Sequence, residues 1–92
     1  MLFEWDPEKA AANLGRHGVS FEEAATVFDD PLAGTYDDPD HSEGEQRFLS
    51  FGLSRDGREI LVSHCDRGER VRIIHARLMT RREKQQHEEG RG

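Results

Sequence analysis

The chain has 92 residues, 34% hydrophobic and 35% charged, with a formal net charge of −6. That length allows one domain with one modest core, and the acidic balance argues against general nucleic-acid binding. A single cysteine, Cys65, excludes an internal disulfide, and no apolar run approaches membrane-spanning length.

The charge is unevenly placed. Residues 1–45 carry twelve acidic and two basic side chains, whereas residues 46–92 carry seven acidic and eleven basic. The chain has an acidic half and a basic half, which predicts different partners for each. The N-terminus has no signal-peptide pattern, so a reducing, cytoplasmic setting is the expectation.

In chain order, Leu2–Trp5 predicts a short first strand. Asp6-Pro7 predicts a helix start, with Asp as N-cap and Pro at the first helical position. Three alanines extend that helix toward Leu14, and Gly15 and Gly18 mark its end. Ser20 with Glu23 three residues on is a capping box. It opens a second helix that ends by Asp29-Asp30-Pro31.

Leu32–Tyr36 predicts an edge strand, and the acidic stretch Asp37 to Glu45 a loop. Three strands follow: Gln46–Ser54, Glu59–Asp66 and Arg70–Leu78. Asp56-Gly57 and Arg67-Gly68 supply the turns. Thr80 and Glu83 form a second capping box, starting a charged last helix. The order βααββββα describes a single α+β domain over 1–92, an antiparallel sheet with helices packed on one face.

A two-residue turn at Asp56-Gly57 sets a register in which Leu49 faces His64, Phe51 faces Val62 and Leu53 faces Ile60. Pairing Asp66 with Glu69 places Val62 opposite Ile73. One face then carries Leu49, Phe51, Leu53, Ile60, Val62, Val71 and Ile73 as the core. Arg70 and Arg72 fall on the open face and Arg77 at the edge of the core face. A one-residue slip would exchange the faces.

The residues with chemical potential are few. Arg70, Arg72 and Arg77 lie on one strand, and a guanidinium fork matches phosphate oxygens; ion pairing to the acidic half is the competing use. The five histidines show no zinc-site spacing, so no metal or other cofactor is expected. His17, in a tight connection, is a capping group or a base. Glu45 and Arg47 share a strand face and suit an acid–base and phosphate-clamp combination.

An ordered set of short motifs adds to this. Trp5-Asp6-Pro7, Asn13, His17-Gly18-Val19-Ser20-Phe21-Glu22, Phe28-Asp29-Asp30-Pro31, Asp40-His41-Ser42, Glu45-x-Arg47 and Arg72-Ile73-Ile74-x-Ala76-Arg77 resemble the BrnT toxins of type II toxin–antitoxin systems. The resemblance implies a RelE-like fold and a metal-independent ribonuclease that cleaves RNA and inhibits translation and growth. It implies a BrnA-like antitoxin in a heterotetramer, with operator DNA touched only through the antitoxin.

His17, Glu45, Arg47, Arg72 and Arg77 stand at motif positions and become the expected catalytic group, with His17 and Glu45 both open as the base. Arg70, Arg81 and Arg82 are expected to hold flanking RNA phosphates. Two positions depart from the family pattern: His75 stands where Ser is common, and His87-Glu88 where Tyr-Glu is common. His75 keeps a second reading open, an inactive toxin-like binding module that pairs with an antitoxin and modulates operator binding.

Overall fold

A computed structural model describes residues 1–91. The elements are β1 (Leu2–Glu4), α1 (Pro7–His17), α2 (Phe21–Thr26), β2 (Gly34–Asp37), β3 (Arg47–Leu53), β4 (Glu59–Arg67), β5 (Arg70–Leu78) and α3 (Arg81–Arg91), with short 3-10 turns at Val27–Asp29 and Pro39–His41. The five strands form one sheet in the order β1-β5-β4-β3-β2. β2 to β5 run as an antiparallel meander, while β1 joins β5 in parallel.

Local chemistry sets the helix ends. The Asp6 carboxylate accepts from the Glu8 amide at 2.8 Å, and Pro7 takes the first helical position. Gly15 lies inside α1 and does not end it. Gly18 does, at φ 67°, with its amide donating to Leu14 O at 2.9 Å. At α2, Ser20 Oγ accepts from the Glu23 amide at 3.0 Å. The Glu23 side chain does not close the box. It is buried and is claimed by Arg58 and by Ser54, whose hydroxyl donates to it at 2.7 Å.

The core lies between one sheet face and the first two helices. Val19, Phe21, Ala24 and Val27 pack on Ile60, Val62, Ile73 and Ala76, with Phe3, Trp5 and Phe28 around them. Gly52 permits the closest approach: a Cβ there would lie 2.9 Å from Val27 Cγ1 and 3.0 Å from Ala33 Cβ.

The expected register differs by one residue across the β3–β4 hairpin. Leu53 pairs with Glu59, Phe51 with Leu61 and Leu49 with Ser63. The turn is longer than two residues: Gly57 donates to Ser54 O and Ser54 donates to Arg58 O, both at 2.9 Å. Leu49, Phe51 and Leu53 therefore share a face with Leu61 and Ser63, and Phe48, Ser50 and Gly52 take the helix-covered face with Ile60 and Val62.

α3 also departs from expectation. Its Glu83, Gln86 and His87 border a cavity with Tyr36 and Phe51, which register places on the face opposite α1 and α2. Helices thus lie on both sides of the sheet.

Candidate functional site

The site begins at an irregularity in β5. Arg67 pairs with Arg70, Cys65 with Arg72 and His64 with Ile73, but Ser63 pairs with His75. Ile74 is thus an extra residue, a β-bulge, and it shifts the alternation of side chains by one. Ile73 and Ala76 both enter the core. Arg72 and Arg77, opposite Cys65 and Leu61, fall on one face of the sheet. Arg47, also opposite Cys65, joins that face. The sequence pattern predicted two faces for Arg72 and Arg77 because regular alternation contains no bulge.

Arg72 and Arg77 are both held by carboxylates. Arg72 Nη1 donates to Glu4 Oε2 at 2.7 Å, across the β1–β5 pairing. Arg77 forks onto Glu83 at 2.8 and 3.0 Å. That fork, with the Thr80 amide at 2.8 Å, lowers the Glu83 carboxyl to about 2. The Thr80–Glu83 capping box is complete, since Thr80 Oγ1 accepts from the Glu83 amide at 3.2 Å.

Arg47 is different. Its Nε is buried and has no hydrogen-bond partner among the described residues. Glu45 does not pair with Arg47. Its carboxylate meets Arg67 at 3.2 Å and accepts from the Cys65 thiol at 3.6 Å. Arg70 is exposed at the start of β5, and Arg81 and Arg82 are exposed in the first turn of α3.

His17 lies apart from Glu45. β1 covers β5 only over residues 70–72, and α1 closes the flank beyond. There Asn13 acts as a strand edge: its amide nitrogen donates to Ala76 O at 2.8 Å and to Val19 O at 2.9 Å, and its oxygen accepts from the Ala76 amide at 3.1 Å. This brings the end of α1 to the bulge. The His17 and His75 rings meet edge to face, centroids 4.8 Å apart.

Burial, His17, Arg77 and Arg16 together lower the pKa of His75. A recess of about 190 Å³ opens here, lined by Lys9, Arg16, His17, Ile74 and His75 with Ala12 and Asn13.

The structure therefore divides the expected catalytic group. Arg47, Arg72 and Arg77 share a face, and Glu45 meets that face at Cys65 while held by Arg67; His17 alone is set apart, at the flank of β5 beside His75. Sequence reasoning missed Glu4 and Arg67 as partners, because contacts across 68 and 22 residues leave no local signal. It also missed a buried polar chain on the helix-covered side. Thr35 Oγ1 bonds Ser50 Oγ, and Ser50 Oγ bonds His64 Nε2, each at 2.8 Å. His64 packs against Phe28 and Phe48. Burial lowers its pKa, and its Nδ1 has no partner among the described residues.

A fold with this sheet and helix arrangement occurs in small ribonuclease toxins. The crystal structure of the Brucella abortus ribonuclease toxin BrnT matches with a TM-score of 0.68 and 20% identity, over 88% of this chain and 99% of that one. The family model described as "Ribonuclease toxin, BrnT, of type II toxin-antitoxin system" matches residues 5–83. The chain belongs to that family. No curated protein matches the sequence.

Proposed function

We propose that this chain is the ribonuclease of a toxin–antitoxin pair: a RelE-like, metal-independent endoribonuclease that cuts RNA and so arrests translation and growth. A BrnA-like antitoxin silences it in a heterotetramer and supplies the contact with operator DNA. The observation carrying the RNA reading is the β5 bulge, which gathers Arg47, Arg72 and Arg77 on one face. Three guanidinium groups on one surface of an acidic chain need anionic partners. RNA phosphates are the partner that membership of a ribonuclease toxin family supplies.

Arg72 and Arg77 stabilise charge on the reacting phosphate, and Arg47, with its unpartnered Nε, binds alongside them. Arg70, Arg81 and Arg82 are exposed and contact flanking phosphates. Glu45, already engaged by Arg67, is the weaker candidate for proton transfer at the reacting phosphate, and His17 the stronger.

The test is induction of the chain without antitoxin in a bacterium, followed by sequencing of RNA ends. Arrest with discrete new ends is expected, and Arg77→Ala should relieve it while the protein remains folded and still captures antitoxin. Undiminished cleavage by that variant would remove Arg77 from the chemistry.

One observation favours the second reading, a binding module without activity. Arg72 and Arg77 are already neutralised by Glu4 and Glu83. Normal growth with intact RNA and abundant folded protein would establish that reading.

A further inference from the structure

The recess at the end of α1 differs from the rest of the surface in its charge. Lys9, Arg16, His17 and His75 line it, and no carboxylate does. Neither Lys9 nor Arg16 has an ion-pair partner among the described residues. Arg77 and Arg16 both lie close enough to act on His75 electrostatically. Lys9 and Arg16 are exposed and unpaired, so their charges are available to an anion that enters the recess.

The hollow contains two imidazoles at 4.8 Å, close to perpendicular at 86°. One comes from the carbonyl end of α1, where positive side chains are accommodated. The other directly follows Ile74, the extra residue of the bulge. Asn13 fixes the geometry between them by bonding both the N–H and the carbonyl of Ala76, the residue after His75.

We propose that this recess holds the scissile phosphodiester of RNA and that His75 and His17 flank it as general base and general acid. The inference rests on the ribonuclease reading and extends it to residue 75. His75 takes the proton of the ribose 2′-OH as that oxygen bonds to phosphorus. The bond from phosphorus to the 5′ oxygen breaks, and His17 gives a ring proton to that oxygen. The products are a 2′,3′-cyclic phosphate and a 5′-hydroxyl, with no other reactant consumed.

Burial and the surrounding cations keep His75 neutral, as a base requires. Arg16, Arg77 and Lys9 offset the charge that accumulates on the phosphorane oxygens. The groups facing His75 are His17, Arg16, Lys9 and Arg77, all basic.

The experiment uses the full chain with an RNA oligonucleotide and with its uncleavable 2′-fluoro analogue. Wild-type protein should give a bell-shaped profile of kcat/KM against pH and leave 2′,3′-cyclic phosphate ends. His75→Ala and His17→Ala should each lose about a hundredfold or more, and each should remove one limb of the bell. Added imidazole should restore part of the His75→Ala activity. The 2′-fluoro oligonucleotide should shift the ring-proton NMR resonances of both histidines in wild-type protein.

Folded variants within threefold of wild type, or with an unchanged pH profile, would overturn the acid–base roles. Unmoved histidine resonances would overturn the subsite, as would shifts produced by inorganic phosphate and not by the oligonucleotide. Wild-type protein that binds the oligonucleotide at both histidines yet cuts no RNA would instead overturn the ribonuclease reading, and the acid–base roles with it, while leaving the phosphate subsite standing.

Discussion

Asn13 makes three hydrogen bonds while only 7% exposed, and two of them run to a residue 63 positions away. Its amide supplies both a donor and an acceptor, which is what the unpaired flank of β5 lacks. Asn13→Ala leaves Ala76 N–H, Ala76 O and Val19 O buried without partners. A loss of about 2–4 kcal/mol in urea unfolding is expected. Asn13→Asp should do no better, since a carboxylate cannot donate to the two carbonyls. A variant of wild-type stability would show that water replaces the amide there.

His64 is 5% exposed, wedged between Phe28 and Phe48, with its pKa lowered by desolvation. The folded protein therefore binds a proton there less readily than the unfolded chain, whose histidine titrates near 6.5. Stability is fully present above that pH and falls as pH drops below it. His75, also lowered, adds a slope of the same sign. Unfolding free energy measured at pH 7.5 and at pH 5.5 should decrease, and His64→Phe should flatten part of the decrease. An unaltered slope in that variant would place the effect elsewhere.

Among the elements, α3 depends most on a single group. Its residues Arg81–Arg91 contain no apolar side chain, so burial cannot anchor it. Glu83 does so twice, by the Arg77 fork and by the Thr80 amide. Glu83→Gln should cost on the order of 1 kcal/mol and speed amide exchange throughout α3. The Glu83 carboxyl is lowered to about 2 from an ordinary 4.5. Its contribution is therefore present above pH 4.5 and lost as pH falls toward 2. Exchange in α3 that ignores both the substitution and this acid range would contradict the anchoring.

The elements also show what the sequence made legible. Strands and helix starts were readable because Asp6-Pro7, Ser20 and Thr80 are local signals. The register was not. Asp56-Gly57 indicates a hairpin but not that Ser54 and Arg58 also belong to the turn, and one residue there exchanges the faces of β3. The bulge at Ile74 has no mark in Arg72-Ile73-Ile74-His75-Ala76-Arg77, a run that fits a regular strand equally well. The side for α3 was hidden because a helix without apolar residues has no stripe to orient it.

At the scale of the whole molecule, the charge division seen along the chain is partly undone in space. Glu4 from the acidic half meets Arg72, and Glu23 meets Arg58. The first joins β1 to β5, and the second joins α2 to the turn before β4. Arg47, Arg70, Arg81 and Arg82 have no ion pair among the described residues, and neither do Lys9 and Arg16 beside His17. If the six proposed arginines contact phosphates, the logarithm of RNA affinity should fall against the logarithm of salt concentration with a slope of about −4. A slope near zero would remove the phosphate contacts.

The parallel pairing of β1 with β5 has a consequence for how the protein comes into being. Leu2–Glu4 are made first, yet their partners are Arg70–Arg72; Asn13 likewise waits for Ala76. Neighbour-to-neighbour hairpins form early, whereas this edge closes only when nearly all the chain has been synthesised. The recess at the bulge, walled by α1 and β5, is assembled by that last closure. That recess is thus absent from a growing chain until β5 has been made and has met α1.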